Sequence, residues 1–141
     1  MHHMLVATRS FKDRPLDDAQ RRAVAEEISR WCEGMALGLP TTAPTWPGFE
    51  PKRYWRGPVW AVVNWLISDG LRANGLTGLA EKLERGTVDA IERVGFAEYF
   101  DPTTGEGLGG GVFSWTAAAY LVLHARGERS GQAKGSACVS A

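Results

Sequence analysis

The sequence predicts an all-α fold. Four stretches carry apolar residues at helical spacing, proline and glycine stand between them, and no segment alternates with period two long enough to make a strand. The 141-residue chain is one domain's worth, and 44% hydrophobic with 23% charged residues gives material for a core and too much for disorder.

Residues 1–15, MHHMLVATRSFKDRP, show no sustained period and read as an irregular arm closed by Pro15. A helix is expected over 16–33. Asp17 and Asp18 favour its positive N-terminal end, and Ala19, Ala23, Val24, Ile28 and Trp31 recur on one face. Four prolines, Pro40, Pro44, Pro47 and Pro51, then exclude an interior helix from the long connection 34–54. Loops of that length in a compact domain more often carry function than not. Pro58 suits the first turn of a second helix, 58–74, whose VWAVVNWLI run is apolar nearly all round, with Gly75 as its stop. Residues 79–94 form an amphipathic third helix. Leu79, Leu83, Thr87, Ala90, Ile91 and Val94 line one face, Glu81, Lys82, Glu84, Arg85, Asp89 and Glu92 line the rest, and Gly95 ends it. A glycine-rich loop leads to a last helix, 114–125, apolar on all sides, with Ser114 as a candidate cap. Residues 127–141 are small and polar and read as a flexible tail.

The order is amphipathic, apolar, amphipathic, apolar. In a simple four-helix bundle every helix keeps a wet face, so two wholly apolar helices call for a second layer of protein. A double ring of helical hairpins, inner helices covered by outer ones, supplies it. Residues 16–126 provide about two hairpins of such a partial (α/α)6 toroid, too few to close it. Trp60, Trp65, Trp115 and Leu121 are therefore not all expected to find cover within this chain.

Sixteen basic residues balance sixteen acidic ones, so no electrostatic footprint for nucleic acid or an anionic membrane is present. No apolar run approaches a membrane span, and a cytoplasmic setting is expected. Two cysteines and three histidines point to no metal site, and no cofactor is implied.

Two segments carry chemistry. The first is YWRGPVW, Tyr54–Trp60, at the junction of the proline-rich loop and an apolar helix. Flat aromatic faces stack on the apolar face of a sugar ring, while phenol, indole and guanidinium groups donate to its hydroxyls. Tyr54, Trp55 and Trp60 read equally well as sugar-facing or as core; Trp65, deep in the helix, reads as core. Arg56 could equally be a structural arginine pairing a carboxylate. The second segment, Glu98–Thr116, holds Glu98, Asp101 and Glu106 with five glycines between Gly105 and Gly111. It lacks the ending of a phosphate loop. Asp101 before Pro102 reads as a turn former, and Glu106 as exposed. Glu98 stands among Phe96, Tyr99 and Phe100. Aromatic surroundings disfavour a carboxylate's charged form, which suits acid–base chemistry; an exposed glutamate just past a helix is the other reading.

The combination YWRGPVW-x3-NW, F-x-EYFDP-x-TGEGLG and FSWTAA, with GLPTTAP at 38–44, resembles the C-terminal part of glycoside hydrolases of family 63. Within it, the likeness is to mannosylglycerate and glucosylglycerate hydrolases, and trehalases of the same broad clan carry a comparable Glu-Tyr pair. The resemblance spans about Asp18 to Leu123. It implies a toroid of six hairpins and hydrolysis with inversion, with Glu98 as general base and Tyr54, Trp55 and Trp60 as sugar-subsite aromatics. The ligand it implies is a small carbohydrate. It also implies a departure, because the family's general acid, an aspartate, lies upstream of anything matched here, and Asp13, Asp17 and Asp18 fit no acid motif. Inverting hydrolysis needs two carboxyl groups ~6.5–9.5 Å apart. The chain thus reads as the C-terminal segment of an inverting α-glycosidase, inactive alone and completed by the missing part of the ring or by another copy. The alternative is a non-catalytic sugar-binding or assembly remnant.

Overall fold

The computed structural model describes residues 15–136. Helix α1 spans Asp18–Cys32, α2 Ala61–Ala73, α3 Thr77–Val94 and α4 Ser114–Ser136, with a two-residue hairpin, β1 Tyr99–Phe100 and β2 Gly107–Leu108, before α4. The mainly helical fold is as predicted. The arm expected over 1–15 lies, Pro15 apart, outside the described residues.

Asp17 starts α1 through a reciprocal cap: its carboxylate accepts from the Gln20 N–H (2.8 Å), and the Gln20 side chain accepts from the Asp17 N–H (3.1 Å). Ile28 and Trp31 face inward and join Leu39, Ile67, Leu71, Ala80 and Leu83 in one core cluster. Leu37, Val59, Ala61, Ala90, Ile91, Ala97, Phe100 and Ala119 form a second, to which loops, α2, α3 and α4 all contribute. Each fully buried side chain of Leu or Ile size contributes ~1.5–3 kcal/mol.

Three sequence expectations are corrected. Helix α2 begins at Ala61 rather than Pro58, because Val59 is extended and paired antiparallel with Phe100. A second pairing, β1 with β2, sets Tyr99 opposite Leu108 and Phe100 opposite Gly107 and overturns the expectation of no sheet. Two-residue strands are too short for alternation to show. Helix α4 continues past Ala125 to Ser136, through residues expected to be irregular.

The long connection is held by its backbone rather than by helix. The Ala36 and Leu37 N–H groups donate to the Pro102 carbonyl (2.7 and 3.3 Å). Buried Asn64 acts toward Leu39 as a strand neighbour does, its Oδ1 accepting from the Leu39 N–H (2.8 Å) and its Nδ2 donating to the Leu39 carbonyl (2.9 Å). Gly38 permits this approach, since a Cβ there would lie 2.5 Å from the Asn64 Oδ1. The polar break in the second apolar run is thus what fastens the loop to α2.

Glu84, expected on the wet face of α3, is buried (6% exposed). Arg72 of α2 grips it with two hydrogen bonds (2.9 and 2.6 Å), and Arg126 of α4 reaches both Glu84 (3.2 Å) and Asp69 (2.6 Å). Burial pushes its carboxyl upward, but the hydrogen bonds and charge of Arg72, with help from Ser68 and Arg126, outweigh that and hold it below the ordinary range.

The two apolar helices are not buried all round. Trp60 is fully covered and Trp65 half-covered, while Trp115 (55%) and Leu121 (70%) lie open, as does Leu66 on α2, so the four do not all find cover, as expected.

Asn64→Ala strands a buried donor and acceptor of Leu39 and is expected to cost ~2–4 kcal/mol in urea denaturation. Because the folded-state pKa of Glu84 is depressed, its contribution is present above the unfolded glutamate value and lost as pH falls through the lower folded value. Stability measured from pH 7 downward is therefore expected to fall in the acid limb, with a smaller acid-dependent fall for Glu84→Gln.

Candidate active site

The bridge between Val59 and Phe100, with N–H···O bonds of 2.8 and 2.9 Å in both directions, brings the two motif segments together. Both side chains enter the core, so the next residues along each strand, Trp60 and Tyr99, face each other on the opposite side. Their rings lie 5.4 Å apart, nearly parallel at 23°. Trp55 covers the other face of Trp60, parallel to within 2° at 4.2 Å. Tyr54 stands edge-on to Trp60, Tyr99 and Trp55 at 5.0, 5.5 and 5.9 Å. Edge-to-face and offset contacts of this kind contribute ~0.5–1.5 kcal/mol each beyond area burial.

The preceding loop is set by successive turns between Glu50 and Arg56, closed by the Glu50 N–H donating to the Arg56 carbonyl (2.7 Å). Arg56 pairs with the Glu50 carboxylate (3.2 Å) and lies over the Trp46 ring (5.7 Å), the carboxylate partner that its structural reading expects. Tyr54 follows with φ 38°, the one non-glycine positive φ among the described residues. Such a conformation is strained for a side chain of this size and persists only where its surroundings fix it. Here the Trp60 indole N–H donates to the Tyr54 carbonyl (3.0 Å).

Glu98 is positioned from both sides along the chain. The buried Thr116 hydroxyl donates to the carbonyl of Ala97 (2.7 Å), and the Glu98 N–H donates to the Leu108 and Gly110 carbonyls, both at 3.1 Å. Its half-buried carboxylate accepts from the Tyr54 hydroxyl at 3.2 Å. Loss of solvent around the ring, then the Glu98 hydrogen bond and charge and the nearby Tyr99, hold the Tyr54 hydroxyl above the ordinary phenol value. It therefore stays a donor through the neutral range.

The structure thus brings Glu98, Tyr54, Trp55 and Trp60 into one cluster, but with unequal faces. Tyr54 and Trp55 are open (47% and 40%), while Trp60 is 1% exposed, with Trp55 on one face and Tyr99 along the other. Trp60 supports the shelf rather than offering a free face to a sugar. The sequence names Tyr99 only as a neighbour of Glu98 and Thr116 only as the end of the second segment, and gives neither a place in the site.

The remaining carboxylates are occupied elsewhere. Asp101 is buried in a turn, where its Oδ1 accepts from Thr103 N–H and hydroxyl (2.8 and 2.6 Å), as its turn-former reading predicts. Glu106 is exposed and paired with Lys52 at 2.5 Å. Asp17 caps α1 and Asp18 pairs with Arg21, while Asp13 lies outside the described residues. Among the described residues, no group of three His, Cys, Asp or Glu could hold a metal ion, and no helix is long and apolar enough to cross a membrane.

A helical scaffold that presents one carboxylate and a hydroxyl donor beside open aromatic faces has the chemistry to hold a sugar, and similarity to known proteins makes it a glycosidase-related domain. Residues 11–116 match the mannosylglycerate hydrolase MGH1-like glycoside hydrolase domain, and the chain belongs to that family. It is 50% identical over 98 residues to a mannosylglycerate hydrolase of Thermus thermophilus, covering 70% of this chain and 24% of that protein. It is 43% identical over 83 residues to a glucosylglycerate hydrolase of Mycolicibacterium hassiacum, covering 59% of this chain and 19% of that one. Its fold matches a crystal structure of the family 63 mannosylglycerate hydrolase from a second strain of Thermus thermophilus, in complex with glucose. That match has a TM-score of 0.71 and 45% identity, and covers 77% of this chain and 27% of the other. The chain spans about a fifth to a quarter of the length of the curated relatives it matches.

The unequal exposure of the two tryptophans predicts unequal costs of truncation. Trp60→Ala is expected to lose ~3–5 kcal/mol of stability and Trp55→Ala less than half as much, measured by chemical denaturation.

Proposed function

We propose that this chain supplies the general base and one aromatic wall of the sugar site of an inverting α-glycosidase. Its substrate class is an α-linked gluco- or mannoside of glycerate. The observation that carries this reading is the hydrogen bond from Tyr54 to the Glu98 carboxylate beside an open aromatic face. A carboxylate with one oxygen so held keeps other lone pairs for a water. In the reaction Glu98 takes a proton from that water as its oxygen attacks the anomeric carbon. A carboxylic acid on the opposite side of the bond gives its proton to the departing glycerate oxygen. Tyr54 keeps the Glu98 carboxylate in place, and Trp55 offers the ring face against which the sugar rests.

The acid comes from outside this chain. Trp115 and Leu121 on α4 and Leu66 on α2 stand open, large apolar side chains that further protein can cover. In this reading the rest of the helical ring covers them and carries the acid.

The test combines this chain with a separately expressed upstream portion of a family relative and supplies mannosylglycerate and glucosylglycerate. Neither piece alone is expected to turn over, the mixture is, and Glu98→Gln is expected to lower kcat on the order of 10²–10⁴-fold while leaving sugar binding largely intact. Efficient hydrolysis by this chain alone would contradict the placement of the acid, and an unaffected Glu98→Gln mixture would contradict the base. Sugar binding without turnover in the assembled pieces would leave the non-catalytic binding module.

A further inference from the structure

The glycine-rich turn after β2 does more than connect. Gly109 has φ 76°, and a Cβ built on it would lie 2.6 Å from the Glu98 Oε2, 2.7 Å from the Glu98 Cβ and 3.1 Å from a ring carbon of Tyr99. The first of these atoms is the free end of a side chain and could swing away. The second cannot, because the Glu98 Cβ is fixed by its own backbone. That backbone is fixed in turn by the turn itself, whose carbonyls on either side of Gly109, those of Leu108 and Gly110, both accept the Glu98 N–H at 3.1 Å. The turn thus wraps Glu98, and the space a side chain at 109 needs is filled by the Glu98 side chain. Its neighbour Gly111 has no heavy atom within 4 Å of an added Cβ and no positive φ.

We infer that Gly109 is a positioning residue for Glu98: the bare backbone at 109, with the Leu108 and Gly110 carbonyls, sets where the Glu98 carboxylate stands and so aims it at Tyr54. Any L side chain at 109 must open the turn or displace Glu98, and either movement breaks the contact with the Tyr54 hydroxyl. The importance of this for catalysis rests on the reading of Glu98 as the base; the geometric claim does not.

The chain has three tyrosines, Tyr54, Tyr99 and Tyr120, so ring-carbon NMR on selectively labelled protein can follow each phenol through its titration. Gly109→Ala is expected to lower the Tyr54 midpoint as the Glu98 contribution is lost, without reaching the free-tyrosine value, since the aromatic surroundings remain. Tyr120, held by Glu92 on another part of the surface, is expected to titrate as in the parent and so reports an intact fold. Gly111→Ala is expected to leave both unchanged. In the assembled pieces described above, Gly109→Ala is expected to lower kcat on the order of 10²-fold with little change in KM, the pattern of a misplaced reacting group. A lowered Tyr54 midpoint with unchanged turnover would remove Glu98 as the base and leave the grip standing. An unchanged Tyr54 midpoint in a folded Gly109→Ala chain overturns the inference. Should Gly109→Ala fail to fold, adding Glu98→Gly removes the obstructing atoms and is expected to restore a cooperative melt; a double variant no more stable than the single one also overturns it.

Discussion

Everything at the site depends on the backbone bridge between Val59 and Phe100. It joins segments that begin 44 residues apart at Tyr54 and Glu98, so closing it costs chain entropy that grows only slowly with loop length. Two short hydrogen bonds between buried residues, each side chain seated in the second core cluster, offset that cost. The pairing then dictates the rest by geometry. With Val59 and Phe100 directed inward, Trp60 and Tyr99 must meet on the far side, and Trp55 and Tyr54 pack onto them. The positive φ at Tyr54 is sustained by this arrangement, in which its hydroxyl meets Glu98. The cluster is therefore a consequence of one backbone pairing, with the aromatic contacts as its second layer.

The helices were legible in the sequence because their signals are local. Gly75 and Gly95 stand where α2 and α3 end, Asp17 caps α1, and the wet and apolar faces of α3 fall nearly where periodicity puts them. The motif resemblance singles out Glu98 and Tyr54, and the fold brings the two into contact. What could not be read were features fixed by distant partners. Pairing with Phe100 takes Pro58 and Val59 out of the helix their composition favours. Glu84 belongs to a wet face by pattern and is buried because Arg72 and Arg126 arrive from two other helices. Trp60 and Trp55 are the same residue type five positions apart, and it is the packing of Tyr99, Phe113 and Trp55 itself around Trp60 that leaves one covered and the other open. The exclusion of a side chain at 109 is likewise invisible to composition, where five glycines look interchangeable.

Two parts of the molecule differ in how far they are satisfied. At one end α1, α2 and α3 bury Ile28, Trp31, Leu39, Ile67, Leu71 and Leu83 among themselves, and the Glu84 network ties α3 to α2 and α4. At the other, α4 presents Trp115 and Leu121 outward and Tyr54 and Trp55 stand open beside Glu98. The groups that hold the Glu98 carboxylate, the Tyr54 hydroxyl and the turn around Gly109, all come from this chain.

The central claim is that this chain, by itself, builds and holds the carboxylate side of the site. Amide hydrogen exchange at Val59 and Phe100 tests it most directly, because those two N–H groups form the bridge and lie in segments that would otherwise be exposed loops. The account predicts that both exchange as slowly as core amides of α2 and α3, such as those of Leu71 and Leu83, because opening the bridge requires opening the core beneath it. Exchange at the rate of an unprotected loop, with the helical amides still protected, would contradict it.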